Sequence, residues 1–170
     1  MNKLALLVKD EEGMTLVELL AVIVILSIVA AIGGVAISGV IQRSREDGRV
    51  ADVNMLYEAA TLAEASDSYI SKNAAAATAV IVSAKDLKDN GFATSVNFLA
   101  DKAGNDTSAS VTFSFSAAAT GAANSAPVLK MTLPQGAIMA GAKESAAVLD
   151  ADASTIKSLT RESLFKAVKP

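Results

Sequence analysis

Gly13-Met14-Thr15-Leu16-Val17-Glu18, continued by LLAVIVILSIVAAIGGVAISGVI to Ile41, is the stretch that decides the fold of this chain. From Leu19 to Gln42, 24 consecutive positions carry no charge, about 36 Å of helix at ~1.5 Å per residue. That length crosses a bilayer hydrocarbon core of ~30 Å. One carboxylate, Glu18, stands at its start. At the bilayer centre it would cost ~2.5–3.5 kcal/mol, and less near the interface. Taken alone, Glu18 reads as an interfacial residue favoured by the helix dipole, worth ~0.3–1 kcal/mol, at the head of a single-pass anchor. An ordinary secretory signal has an apolar region of only ~7–15 residues, so a signal cut near Ala36-Ile37-Ser38 fits this run poorly.

Composition narrows the chemistry. The chain has 170 residues and contains no His, Cys or Trp. His-based triads, thiol nucleophiles, His/Cys zinc sites, disulfides and acylated lipoprotein cysteines are therefore excluded. A Ser–Lys or Asp/Glu enzyme stays formally open, but the acidic residues are scattered, and no catalytic, cofactor-binding or metal-binding residues are assigned. Aromatic residues make up 4% of the chain, so the core is expected to be built of Ala, Val and Leu. A net charge of −3 disfavours nucleic acid as a partner.

The string GMTLVELLAVIVIL resembles the type IV prepilin signature, the class III signal peptide. In that family a dedicated prepilin peptidase cuts after the Gly of a short hydrophilic leader and methylates the new amino terminus. The resemblance places the cut after Gly13, makes Met14 the new first residue and makes Glu18 the acidic fifth residue of the mature chain. Two positions depart from the family pattern: Met14 stands where Phe is usual, and Lys9-Asp10-Glu11-Glu12 makes the end of the leader acidic. Orientation is poorly marked by charge, since Lys3 and Lys9 precede the span while Arg43, Arg45 and Arg49 follow it. The resemblance alone implies an N-terminus facing the cytoplasm.

Beyond Ile41, Val50, Val53, Leu56, Tyr57, Ala60 and Ala63 recur at three- and four-residue steps, so the helix is expected to run from about 14 to 70 with an amphipathic second half. Arg43, Arg45, Glu46, Asp47, Arg49, Asp52, Glu58 and Glu64 surround that stripe. The block 43–47 reads as a solvated face, or as a surface pairing with neighbouring subunits. Gly33, Gly34, Gly39 and Gly48 admit two readings, close helix packing or local loosening. Residues 71–82 (SKNAAAATAVIV) form either a loop or a short strand at Val80-Ile81-Val82. Ser83 to Gly91 reads as a short helix with Ser83 as N-cap and Gly91 as stop. Alternation predicts strands at 96–100, 111–117 and 129–133, an antiparallel meander covered by the helix. Asn105-Asp106-Thr107 matches a glycosylation acceptor but reads first as a turn. Glu144, Asp150 and Asp152 lack calcium-loop spacing. A terminal helix capped by Asp152 or Ser154 would place Ile156, Leu159, Ser163, Leu164 and Ala167 on one face.

These readings predict an α+β fold: a long N-terminal helix, apolar in its first half and amphipathic in its second, packed on a small antiparallel sheet in the manner of type IV pilins. The expected organisation is a leader at 1–13, a transmembrane or filament-core helix at 14–41, its amphipathic continuation at 42–70 and a head at 71–170. The resemblance implies a structural subunit of a type IV pilus or related filament. It would insert in the cytoplasmic membrane, be processed at Gly13 and Met14, and polymerise with copies of itself by means of an assembly ATPase and platform protein. Membrane lipid would surround it beforehand, and the surface filament would be its destination. Glu18 would pair with the Met14 amino group of an adjoining subunit. A pseudopilin of a secretion or competence system is the near alternative, and a non-polymerising anchored surface domain the distant one.

Overall fold

The computed structural model describes residues 15–66, 80–116 and 128–166. Helix α1 (Leu16–Ala65) is followed by β1 (Val80–Ser83), α2 (Ala84–Asp89), β2 (Thr112–Ser116), β3 (Val128–Leu133), β4 (Met139–Ala140), β5 (Lys143–Glu144), β6 (Val148–Ala151), α3 (Ala153–Lys157) and α4 (Arg161–Leu164). The fold is α+β, a long N-terminal helix with a small four-stranded antiparallel sheet. The chain divides into two compact units, residues 1–41 and 42–170.

In the first unit α1 buries nothing. Its side chains from Leu16 to Ile41 are exposed apart from the half-exposed Gly33, as expected for a helix apolar on every side. Among the described residues it is the one helix long and apolar enough to cross a membrane. It runs unbroken through Gly33 and Gly34, and a Cβ at either would meet nothing within 4 Å.

In the second unit one stripe of α1 is buried. Val53, Leu56, Tyr57, Ala60 and Ala63 pack into one core with Phe113, Phe115, Leu129, Met131 and Leu133 from the sheet. The four strands run in the order β1-β2-β3-β6, all antiparallel. The pairings Val82↔Phe113 and Phe113↔Met131 place apolar side chains on one face of the sheet. Phe113 is fully buried there. Tyr57 fixes the helix to the sheet: its hydroxyl donates to the Leu129 carbonyl at 2.9 Å. Burial, then the charges of Glu64 and Asp152, push its phenol above the usual range.

The short helix after Ser83 forms as its caps dictate. Ser83 and Asp86 make a reciprocal capping box, and Gly91 takes φ +81 just past Asn90. Two expectations are corrected. Residues 96–100 form no strand; the segment turns at Asn97-Phe98 and contributes a single bridge, Ala100↔Asp106, because Leu99 and Val96 are drawn inward by a turn rather than by a ladder. The fourth strand is β6, whose four residues show no clean alternation and include Asp150 at φ +48. The expected terminal helix is two short ones, capped by Asp152 and by Thr160, because the Ser158-to-Thr160 segment breaks it. Ile156, Leu164 and Phe165 are buried all the same. Gly13, Met14 and the loop reading at 71–79 lie outside the described residues, as does Ala167.

Candidate functional site

Of the three site residues read from the sequence, Glu18 is described; Gly13 and Met14 are not. Glu18 sits in the first turn of α1 and is exposed. Its Oε2 accepts from the Thr15 backbone N–H at 2.8 Å and from the Thr15 hydroxyl at 2.9 Å. The Glu18 N–H in turn donates to Thr15 Oγ1 at 3.2 Å. Thr15 and Glu18 therefore form a reciprocal capping box, which satisfies two N–H groups that a helix start leaves unpaired. The sequence carries the signal, Thr-x-x-Glu before an apolar run, and the expectation above passed over it. In this form of the chain the carboxylate is not alone: its nearest partners are the residue two places after Gly13 and that residue's hydroxyl.

The second arrangement lies where α1 meets the β4–β5 hairpin, inside the second unit. Glu46 is only 4% exposed, so block 43–47 is not uniformly a solvated face. Its Oε1 accepts from Lys143 Nζ at 2.7 Å and from Gln42 Nε2 at 2.8 Å. Burial works to raise the Glu46 pKa, but hydrogen bonds from Lys143 and Gln42 and the charges of Lys143 and Arg161 outweigh it and hold the carboxyl below its usual range. Gln42 also donates to the Ala140 carbonyl at 2.6 Å, and Arg49 Nε to the Met139 carbonyl at 3.0 Å. Gly141, at φ +62, turns the hairpin, and a Cβ there would collide with the Gln42 carboxamide oxygen. Asp47 lies 3.6 Å from Arg161, and Asp52 pairs with Arg49 at 2.9 Å. Both acids of the block are thus engaged by cations of the head, and Asp52 beyond it by a cation of α1 itself.

The remaining candidate positions have structural roles. Asn105 donates its side-chain amide to Asp101 at 2.8 Å, and the Thr107 hydroxyl donates to the Ala137 carbonyl at 2.7 Å, so the Asn-Asp-Thr segment is a stabilised turn. Asp152 caps α3 through the Thr155 N–H, which holds its pKa down at about 2. Ser-x-x-Lys spacing occurs at Ser154/Lys157 and Ser163/Lys166. Both hydroxyls serve helix starts: Ser154 donates to Asp152 and Ser163 to the Thr160 carbonyl. Among the described residues no group of three acidic side chains converges as metal ligands would.

Residues 8–34 match the prokaryotic N-terminal methylation motif, the class III signal peptide of type IV pilins and pseudopilins. The match takes in Gly13, Met14 and Glu18 and the first half of the apolar run. The motif belongs to structural, pilin-type proteins. The apolar helix that runs on from the motif is exposed and, by length and composition, long enough to cross a membrane. No curated protein and no solved structure matches the chain.

Proposed function

We propose that this chain is a structural subunit of a type IV pilus or related filament, inserted in the cytoplasmic membrane with its N-terminus inside. It is cut after Gly13, N-methylated at Met14 and polymerised through α1. The observation that carries this reading is the methylation motif at 8–34 joined directly to an apolar helix whose side chains find no cover among the described residues. A prepilin peptidase, an assembly ATPase and a platform protein are the partners the motif implies, with lipid covering the helix beforehand.

Cutting changes what Glu18 faces. Before it, Thr15 supplies the carboxylate with two hydrogen bonds. After it, Met14 carries an ammonium beside Thr15. In a water-free bundle of apolar helices, Glu18 pairs with the Met14 amino group of an adjoining subunit. Such a pair adds little net stability, because desolvation offsets its attraction. A subunit out of axial register instead leaves a charge buried and unpaired, which costs about 3–5 kcal/mol. The pair therefore selects register.

N-terminal mass spectrometry of protein sheared from cells tests the reading. A mature chain beginning at methylated Met14 in surface filaments is the expected result. A processed chain retained by cells points to a pseudopilin, and an uncut N-terminus to a plain anchor. Glu18→Ala is expected to leave cutting intact while filament yield falls; normal yield would refute the register role.

A further inference from the structure

Within the second unit a cleft of about 440 Å³ opens between α1 and the β4–β5 hairpin, lined on the helix side by Arg45, Gly48, Arg49 and Asp52. Arg45 and Arg49 stand one helical turn apart, which sets their Cβ atoms ~5–6 Å from each other on one face. Arg49 is held in place: its Nε donates to the Met139 carbonyl at 3.0 Å, its Nη1 pairs with Asp52 at 2.9 Å, and its Cζ lies 6.0 Å from the centre of the Phe98 ring. Its Nη2 has no partner among the described residues. Arg45 is exposed and has neither hydrogen bond nor ion pair among the described residues. Its Nη1 lies at the hairpin turn, 3.3 Å from where a Cβ on Gly141 would stand. Glycine at 48 and at 141 leaves both walls of the cleft without a side chain at those points.

Charge and position together choose the occupant. Two guanidiniums and one carboxylate line the cleft, so it carries a cation in excess, and Asp52 is already taken by Arg49. The neighbouring acids are taken as well, Glu46 by Lys143 and Asp47 by Arg161. A singly charged phosphodiester balances that excess, and its two free oxygens suit the forked donors of a guanidinium. Along α1, Arg45 and Arg49 follow Gln42, the last position of the uncharged run, by three and seven residues, about 5 and 10 Å of helix. The headgroup layer beyond a ~30 Å hydrocarbon core is about 5–8 Å deep on each side. Long arginine side chains reach back into that layer from a backbone at its outer edge. In an inserted chain, the phosphates at that depth belong to lipid.

We propose that the Arg45 cleft binds the phosphodiester of an anionic membrane lipid, in the leaflet away from the N-terminus. The inference rests on the membrane insertion in the reading above and is independent of polymerisation. It gives two of the three arginines that follow the span a use on the side where the charge bias of membrane proteins expects few.

Native mass spectrometry of the full chain in nonionic detergent, titrated with phosphatidylglycerol, tests the site. The wild type is expected to retain one lipid per chain, and Arg45→Gln to bind it about tenfold or more weakly. Arg43→Gln, which removes an equal charge outside the cleft, is expected to bind as the wild type does. Diacylglycerol with the same acyl chains should be retained no better by the wild type than by Arg45→Gln. Equal retention by Arg45→Gln and the wild type, or an equal loss in Arg43→Gln, would refute the cleft. Displacement of the lipid by an equal concentration of inorganic phosphate would make it a free-anion site and overturn the headgroup assignment. Fractionation of the expressing cells separates the two readings. A chain that pellets with membranes but fails the lipid test refutes the cleft alone, whereas a chain in the soluble fraction refutes the insertion reading and the lipid site with it.

Discussion

Removing Lys143 should destabilise the second unit more than removing the carboxylate it pairs with. Lys143→Met leaves Glu46 charged, 5% exposed at its side chain, and hydrogen-bonded by Gln42 alone. Breaking a fully buried pair in this way costs about 3–5 kcal/mol. The Lys143 side chain is 50% exposed, so water already screens part of the attraction, and we expect about 1.5–3 kcal/mol. Glu46→Gln instead leaves a half-exposed ammonium that water can solvate, and the new amide oxygen still accepts from Gln42; about 1 kcal/mol or less is expected. The double variant should be less destabilised than Lys143→Met, which makes the coupling measurable in a double-mutant cycle. The Glu46 pKa is depressed in the fold, so its stabilisation is present above the unfolded carboxyl pKa and is lost as pH falls through the folded one. The penalty of Lys143→Met should therefore shrink on acidification, as Glu46 takes up a proton. Urea unfolding of the full chain in detergent, followed by the near-UV signal of buried Tyr57, reads these values at neutral and acidic pH. An equal cost for the two single variants, or a penalty independent of pH, would refute the argument.

Gly141→Ala should cost about 1–2 kcal/mol, since a Cβ at φ +62 is strained and also displaces the Gln42 carboxamide; the same unfolding assay checks it. Phe113→Ala should cost about 3–5 kcal/mol, because the ring is fully buried at the centre of the sheet. Glu64→Gln should raise the midpoint of thermal unfolding at neutral pH: Glu64 Oε1 is buried with no hydrogen-bond partner among the described residues, and burial raises its pKa. The sign follows from linkage, since a carboxyl with a raised folded pKa favours folding below its unfolded pKa and loses that contribution as pH rises through the folded one. Asp152 should titrate at about 2 by NMR, below the ordinary Asp value, with its cap on α3 weakening only as pH falls from 3.8 toward that point.

Elements governed by local chemistry were legible in the sequence. The unbroken apolar run set α1, and the three- and four-residue spacing from Val53 to Ala63 named its buried face. Ser83 and Gly91 bounded α2, and the alternation through Phe113 and Phe115 and through Leu129 and Met131 gave the two central strands. What failed was decided at a distance. β6 has four residues and no period of its own; it is a strand because β3 offers it an edge. Residues 96–100 alternate but find no edge, and they turn instead. Glu46 looks like its charged neighbours until Lys143, 97 residues later, closes over it. At the N-terminus the position of Glu18 was legible, while its partnership with Thr15 was written in a local motif that the length of the apolar run overshadowed.

Besides the ion pairs of Glu46 and Asp47, three long side chains of α1 reach main-chain carbonyls of the head: Gln42 to Ala140, Arg49 to Met139 and Tyr57 to Leu129. Every residue offers such a carbonyl, so the half-buried Met139 can change its side chain and still present the same acceptor. The reverse is not true, because each donor is one particular side chain on the helix. Variation is thus tolerated on one side of the attachment and resisted on the other. The head can diversify at such a position on a helix that stays fixed, in a chain that has no cysteine with which to lock the two together.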